Sequence, residues 1–392
     1  MTKNKLHLLY TEIGRGHPFY LDGIIESLNR NGGISIVRTT SSVFEESSGL
    51  SYQLWKLVRY LYKAGAQNNA VGKLYGYLRN ETDYNQPSHL INLLGAKIKN
   101  KYLSDSDPLI VAHPLLVAML KEKSNLYYQH GELIAPEESV VKGAEFVFVP
   151  TEEVAEKFYK FYSKDQIIVT SLCIEPSIVQ IAKDCFLERM IRYEKSAYLC
   201  GGYFSSGAEP EEHIDKLIGS LLSTVQAGHK AIAFVRHDGN FFKNITKNLT
   251  EQSIIYHSFT VSDPVPINLP SVSLVIFKNR REENILATRF FRFLDYFVSP
   301  SHERTNWAAG LGLPIFVTDP PIGPFSPLNR KFILDNNIGN VIVDRLETES
   351  FSEKLILFKQ SGQLAAYAEN GFGKYKINGF KNIVEFVKNN IE

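Results

Sequence analysis

The sequence predicts an α/β protein built of two consecutive doubly wound units, each a parallel sheet with crossover helices. Three observations predict it. Its 392 residues suit two domains of ordinary size. Short apolar runs alternate with longer stretches of helical period, the pattern of buried parallel strands linked by helices. That series of runs starts afresh after a charged helical stretch over 178–195.

The first series places strands at 6–11, 34–39, 109–112, 126–129, 146–150 and 167–171. The second places them at 197–201, 231–236, 253–257, 274–277, 296–299, 314–318 and 341–343. Between them, 262–270 carries three prolines and reads as a loop. The break is expected near residue 190, giving a first domain over 1–190 and a second over 191–375. In 376–392, Ile377, Phe380, Ile383, Val384, Val387 and Ile391 recur at helical spacing. That stripe must be buried, and the expectation is that it folds back onto the first domain. Open α/β sheets bind ligands at the carboxyl ends of their strands, so the two units are expected to turn those ends toward one cleft.

Composition narrows the partners. Lys plus Arg number 43 against 42 Asp plus Glu, which leaves no global field for nucleic acid, and none is expected as a partner. The three cysteines, Cys173, Cys185 and Cys200, make no disulfide framework and no paired metal spacing, so a reducing, cytoplasmic setting is expected. The apolar stretch at 6–10 is too short for a signal-peptide core, and no run of about 18 apolar residues could span a bilayer.

Three motifs carry chemistry. Glu12-Ile13-Gly14-Arg15-Gly16-His17 joins the first strand to a helix; its glycines permit a tight turn and bring bare amides to the positive end of that helix. A third glycine at dinucleotide spacing is missing, and the motif is not a Walker loop. Cys200-Gly201-Gly202-Tyr203-Phe204-Ser205-Ser206-Gly207 opens the second unit in the same way, and amides and hydroxyls in such a loop suit a diphosphate. In 296–317 a strand, a polar loop with His302, Glu303 and Arg304, a short helix of small residues beginning at Thr305 and Asn306, and a further strand follow one another. The next loop, 319–329, has four prolines, which restrict it to few shapes and lower the entropy lost in presenting Asn329.

Together these motifs resemble the GT-B glycosyltransferases, nearest to the enzyme that adds N-acetylglucosamine to the peptidoglycan lipid intermediate and to the monogalactosyldiacylglycerol synthases. The resemblance implies two Rossmann-like domains, an acceptor held mainly by the first, a nucleotide-sugar donor (a UDP-sugar) held by the second, and no cofactor or obligatory metal. It places the donor on Gly14 and Gly16, on Gly201, Gly202, Ser205 and Ser206, on the segment His302, Glu303, Arg304, Thr305 and Asn306, and on Asn329. Relatives commonly hold the ribose with a glutamate in the small-residue helix; here Thr305-Asn306-Trp307 stands there, and Glu303 and Asn306 are the substitutes.

Transfer of a glycosyl group needs a base for the acceptor proton and positive charge or hydrogen bonds for the departing diphosphate. His17 is the base expected from the sequence, and Arg15, His302 and Arg304 are the groups that could offset phosphate charge. Arg304 also has an ordinary reading as a solvated surface side chain. His130 and Glu132, past the fourth strand, form a second acid–base pair. His113 stands before Pro114 and reads as a turn residue. These groups lack metal-ligand spacing, and Asp105-Ser106-Asp107, before a strand, reads as a loop.

From Ser47 to Asn80 there is no acidic residue, while Lys56, Arg59, Lys63, Lys73 and Arg79 interleave with Trp55, Tyr60, Tyr62, Tyr75 and Tyr77. With Leu54, Leu57, Val58 and Leu61 at helical spacing, this segment is suited to lie on an anionic membrane face, at the inner side of the membrane, beside a lipid or glycan acceptor. A basic helical hairpin packed on its own domain is the plain alternative. Two other functions stay open on the same architecture: a nucleotide-sugar 2-epimerase, and a binding protein without catalysis.

Overall fold

The computed structural model describes residues 5–11, 16–30, 37–65, 83–86 and 89–391. The chain divides into two compact units, Met1–Pro176 with Ile377–Glu392, and Ser177–Lys376.

In the first unit the strands are β1 (Lys5–Tyr10), β2 (Val37–Ser42), β3 (Leu109–Val111), β4 (Leu126–Gln129), β5 (Phe146–Val149) and β6 (Ile167–Val169). They form one sheet in the order β2-β1-β3-β4-β5-β6, with every pair parallel. The helices are α1 (Gly16–Arg30), α2 (Val43–Glu46), α3 (Gly49–Gly65), α4 (His89–Tyr102), α5 (Pro114–Leu120) and α6 (Glu152–Phe158). Because strand side chains alternate between faces, Leu109, Val111, Leu126, Tyr128, Val147 and Val149 pack on one side with α3 to α6. Leu8, Tyr10, Ile110, Tyr127 and Phe148 pack on the other with α1.

The second unit has β7 (Cys200–Phe204), β8 (Lys230–Arg236), β9 (His257–Phe259), β10 (Val272–Phe277), β11 (Tyr296–Ser299), β12 (Ile315–Thr318) and β13 (Gly339–Ile342). They order as β13-β12-β11-β7-β8-β10-β9, again all parallel. Its helices are α7 (Pro176–Lys195), α8 (Glu211–Gln226), α9 (Asn240–Glu251), α10 (Arg280–Phe290), α11 (Thr305–Leu311), α12 (Phe325–Asp335), α13 (Arg345–Glu349), α14 (Phe351–Gln360) and α15 (Gln363–Gly371). The last helix, α16 (Gly379–Ile391), lies on the first unit. There Phe380, Ile383, Val384 and Val387 join the α1 core. A Cβ on Gly23 of α1 would come within 2.1 Å of the Phe380 ring, so only glycine permits this close approach.

Four sequence expectations shift, the first being the strand expected at 34–39, which lies at Val37–Ser42. Residue 190 falls inside α7, which is one unbroken helix. Fully buried Arg189 donates to the carbonyls of Leu294, Leu311 and Gly312, so the helix belongs to the second unit and the division falls in its first turn. The strand expected at 197–201 lies at Cys200–Phe204 instead, and the strand expected at 253–257 begins at His257, after Ser253 turns the chain with a φ of 54°.

Candidate functional site

Each sheet has one topological switch point, where neighbouring strands send their following helices to opposite faces and open a crevice at their carboxyl ends. In the first unit it lies between β1 and β3, since α1 packs on one face and α5 on the other. Of the expected turn, Gly14 and Arg15 lie outside the described residues, while Gly16 and His17 form the start of α1. The His17 ring reaches across the switch point to His113, the centroids 4.4 Å apart. His113 is the N-cap of α5: its Nδ1 accepts from the Leu115 amide at 3.1 Å, so a neutral His113 carries its proton on Nε2.

His130 follows β4 beneath the same helix. A Cβ on its neighbour Gly131 would strike the Tyr20 ring, three residues along α1 from His17, at 2.2 Å. His130 is 3% exposed, with Nε2 3.1 Å from the Ile134 carbonyl and its ring against Phe158. Desolvation, with a smaller contribution from His17, pushes its pKa down to about 3. It is a neutral, fixed imidazole at physiological pH. Glu132 is buried in the same turn. The first-unit site is therefore three imidazoles gathered around the start of α1.

In the second unit the switch point lies between β7 and β11. Gly201 and Gly202 are inside β7, with no place in the loop read from the sequence. A Cβ on Gly201 would come within 2.5 Å of the Tyr296 ring, and one on Gly202 within 3.0 Å of Leu294 and Phe204. Close packing in the sheet accounts for both glycines. The loop begins at Ser205, whose hydroxyl donates to Glu209 at 3.3 Å. Glu209 also accepts from the Asn240 amide at 2.6 Å and holds a left-handed φ of 47°. Such backbone strain in a non-glycine residue persists where its contacts over-determine it. Ser206 lies between them and accepts the Glu209 amide at 3.2 Å.

After β11, Ser301 bonds Ser326 and His302 is half-buried. Arg304 is not a solvated surface group: it is 5% exposed, pairs with Glu283 of α10 at 2.7 Å and with Glu303 at 3.5 Å, and stacks on Phe204 and Trp307. Its charge is thereby matched by two carboxylates. Thr305 and Asn306 start α11 and are buried. Asn329 lies inside α12, one turn beyond its start, and is fully buried. Its Nδ2 donates to the Ser301 carbonyl. Three buried oxygens here, Thr305 Oγ1, Thr318 Oγ1 and Asn329 Oδ1, have no hydrogen-bond partner in the structure.

Sequence reading passed over four groups of this site: Glu283, Glu209, Thr318 and Arg236. Arg236 ends β8, holds Asp238 at 2.7 Å and approaches Glu209 at 3.8 Å, and is about one-third exposed. A polar side chain closing a strand was the available signal for Arg236 and Thr318; nothing local marks Glu283 or Glu209. His213 of α8 donates to the Pro320 carbonyl at 2.8 Å, and desolvation pushes it down to about 4 against that bond, with His302 nearby.

In the first unit, α3 turns fully buried Trp55 inward, which removes it from the membrane-facing set. Leu50, Leu57 and Tyr60 are exposed at 62%, 50% and 62%, beside Lys56 and Arg59, which are also exposed. Lys73, Arg79, Tyr75 and Tyr77 lie outside the described residues. No helix among the described residues is long and apolar enough to cross a membrane.

No family model matches the sequence, and no curated protein matches it. Solved structures do. The UDP-GlcNAc 2-epimerase of Neisseria meningitidis, bound to UDP-GlcNAc, is 13% identical with a TM-score of 0.52, covering 98% of each chain. S. aureus MnaA, solved with UDP, is 10% identical with a TM-score of 0.56, covering 99% of this chain and 97% of its own. A further UDP-N-acetylglucosamine 2-epimerase is 9% identical with a TM-score of 0.52, covering 100% and 97%. The likeness runs the length of the chain and shows the fold: two Rossmann-like units, as in the GT-B group.

Proposed function

We propose that the protein is a nucleotide-sugar glycosyltransferase, its second unit holding a UDP-sugar and its first presenting an acceptor. Support for the donor comes from the fold shared with two structures solved with UDP or UDP-GlcNAc and from the three unpartnered oxygens beside β11 and β12. A buried acceptor without a partner is costly, and donor hydroxyls can satisfy it. Ser205, Ser206 and the exposed edge of Arg236 are the groups for the diphosphate; Glu303, Thr305, Asn306 and Asn329 those for ribose and sugar. His302 stands beside them. Arg304, already neutralised, positions Glu303.

In the proposed reaction an acceptor hydroxyl attacks the anomeric carbon. Its proton passes to a His17 ring nitrogen, and the bond from carbon to the diphosphate oxygen breaks, the electron pair leaving with UDP. His113 and His130 keep the His17 ring in place. Neutral His130 opposes a positive charge on His17 less than a cation would, so in this reading His17 holds the proton during transfer.

The observation that carries transfer is the outward face of α3, where Leu50, Leu57 and Tyr60 stand among Lys56 and Arg59. Such a face suits a lipid-linked acceptor at an anionic membrane. The second reading, 2-epimerisation, is favoured by the likeness to two solved UDP-GlcNAc 2-epimerases. Product analysis separates the two. UDP release that depends on added acceptor lipid supports transfer. Conversion of the sugar without any acceptor supports epimerisation, and UDP binding without either reaction supports a binding protein. Flotation with anionic vesicles at low salt tests the α3 face, and the Lys56→Glu/Arg59→Glu double variant is expected to stay at the bottom of the gradient.

A further inference from the structure

Among the described residues, one group of side chains is spaced to hold a metal ion: His7, Asp105 and Asp107, whose ligand atoms lie within 4.8 Å of one another. His7 is the third residue of β1, and the two aspartates belong to the loop before β3, so the cluster sits at the amino ends of the strands, away from the switch-point loops. His7 is 9% exposed. Asp105 and Asp107 are about 30% exposed, which leaves an entry path.

The histidine is oriented from behind. Thr39, its register partner on β2, touches Nδ1 through its hydroxyl, an outer-shell contact of the kind that fixes the tautomer of a metal-binding histidine. When Nδ1 carries the proton and donates to Thr39, the Nε2 lone pair faces Asp105 Oδ2 at 3.0 Å and Asp107 Oδ2 at 3.6 Å. A lone pair facing two carboxylates is repelled unless a cation lies between them. Although Asp105 is close, Nε2 has no partner at hydrogen-bond geometry, so a proton on that nitrogen is badly aimed. Ligand atoms about 2.0–2.1 Å from a tetrahedral ion stand about 3.4 Å apart, and the two observed separations bracket that value. Lys123, buried nearby with Nζ on the Asp105 carbonyl at 2.6 Å, offsets one carboxylate charge and leaves the other for the ion.

We propose that His7, Asp105 and Asp107 bind a divalent first-row transition ion, zinc being the best match to one imidazole and two carboxylates. The ion clips the loop before β3 to β1. Its role is structural, and its failure would leave the proposed donor site untouched.

The test uses the full chain stripped with a chelator, then titrated with zinc, with magnesium as control, and with cobalt as a spectroscopic probe. Zinc at a hundredfold excess over its Kd should raise the melting temperature by about 5 °C, one ion per chain, and cobalt should give the intense visible bands of a tetrahedral site. Asp107→Asn and His7→Gln should each weaken zinc binding at least tenfold and abolish the cobalt bands. Asp107 is on the surface, so its variant should keep the metal-free melting temperature and the response to UDP. No zinc-induced shift in the parent chain, or a shift and cobalt bands that persist in both variants, would overturn the proposal.

Discussion

The switch point of the first unit and that of the second share a topology and differ in chemistry. Between β1 and β3 stand titratable rings: His17 against His113, with neutral His130 beneath. Between β7 and β11 stands a buried ion pair, Arg304 with Glu283 and Glu303, surrounded by hydroxyls and amides. Under the proposed function, the first crevice accepts and returns a proton, and the second holds a charged, polyhydroxylated ligand. The difference follows from what each group can do when buried. An imidazole sheds its proton when desolvated and stays useful, whereas a guanidinium stays charged and must be matched.

The largest expected effect breaks the first side of that comparison. His17→Ala should lower turnover about 10²–10⁴-fold while the affinity for UDP stays the same, measured by steady-state kinetics and calorimetry; a loss of UDP affinity instead would move His17 to the donor. Next, Arg304→Ala strands two buried carboxylates and should destabilise the chain by about 3–5 kcal/mol, a fall of about 10 °C in melting temperature. An unchanged melting temperature with weakened UDP binding would mean that Arg304 serves the diphosphate directly.

Acid sharpens the comparison, because each unit holds a buried histidine that desolvation keeps neutral well below the ordinary range. His130 and His213 have folded pKa values of about 3 and about 4, below the unfolded value of about 6.5. Between those limits the unfolded chain binds the extra proton, so stability is full above about pH 6.5 and falls as pH drops. At pH 4.5 each histidine should have removed about 2–3 kcal/mol. Denaturant titrations of His130→Gln and His213→Gln at pH 7 and 4.5 should each show a shallower acid loss than the parent; equal slopes would place the loss elsewhere. The smallest effect is Thr318→Val. Replacing a hydroxyl that has no partner should leave the free protein as stable or more so, yet weaken UDP-sugar binding about 5–10-fold, read by calorimetry.

Much of this frame is legible in the sequence because buried parallel strands announce themselves as apolar runs. The runs at 126–129 and 296–299 coincide with β4 and β11. The register of β7 is not legible, since two adjacent glycines read as a turn until Tyr296 is seen lying over one of them. Near the site, position relative to a strand end is readable, as for His17 after β1 and Ser205 after β7. Pairing across the fold is not. Nothing within a few residues of Arg304 points to Glu283, and Asn329 looks like a loop residue because the prolines before it hide the start of α12. Trp55 shows the same limit on α3: periodicity finds the helix, but which of its aromatic groups face inward depends on β2, α4 and the core they cover.

The central claim is that the second unit's switch point binds the nucleotide diphosphate. Isothermal titration of UDP into the parent chain, Asn329→Ala and His17→Ala tests it most directly. The account predicts one UDP per parent chain, affinity reduced about 10-fold in Asn329→Ala, and affinity unchanged in His17→Ala. UDP binding that survives Asn329→Ala and is lost in His17→Ala, or no binding to the parent chain at all, would contradict it.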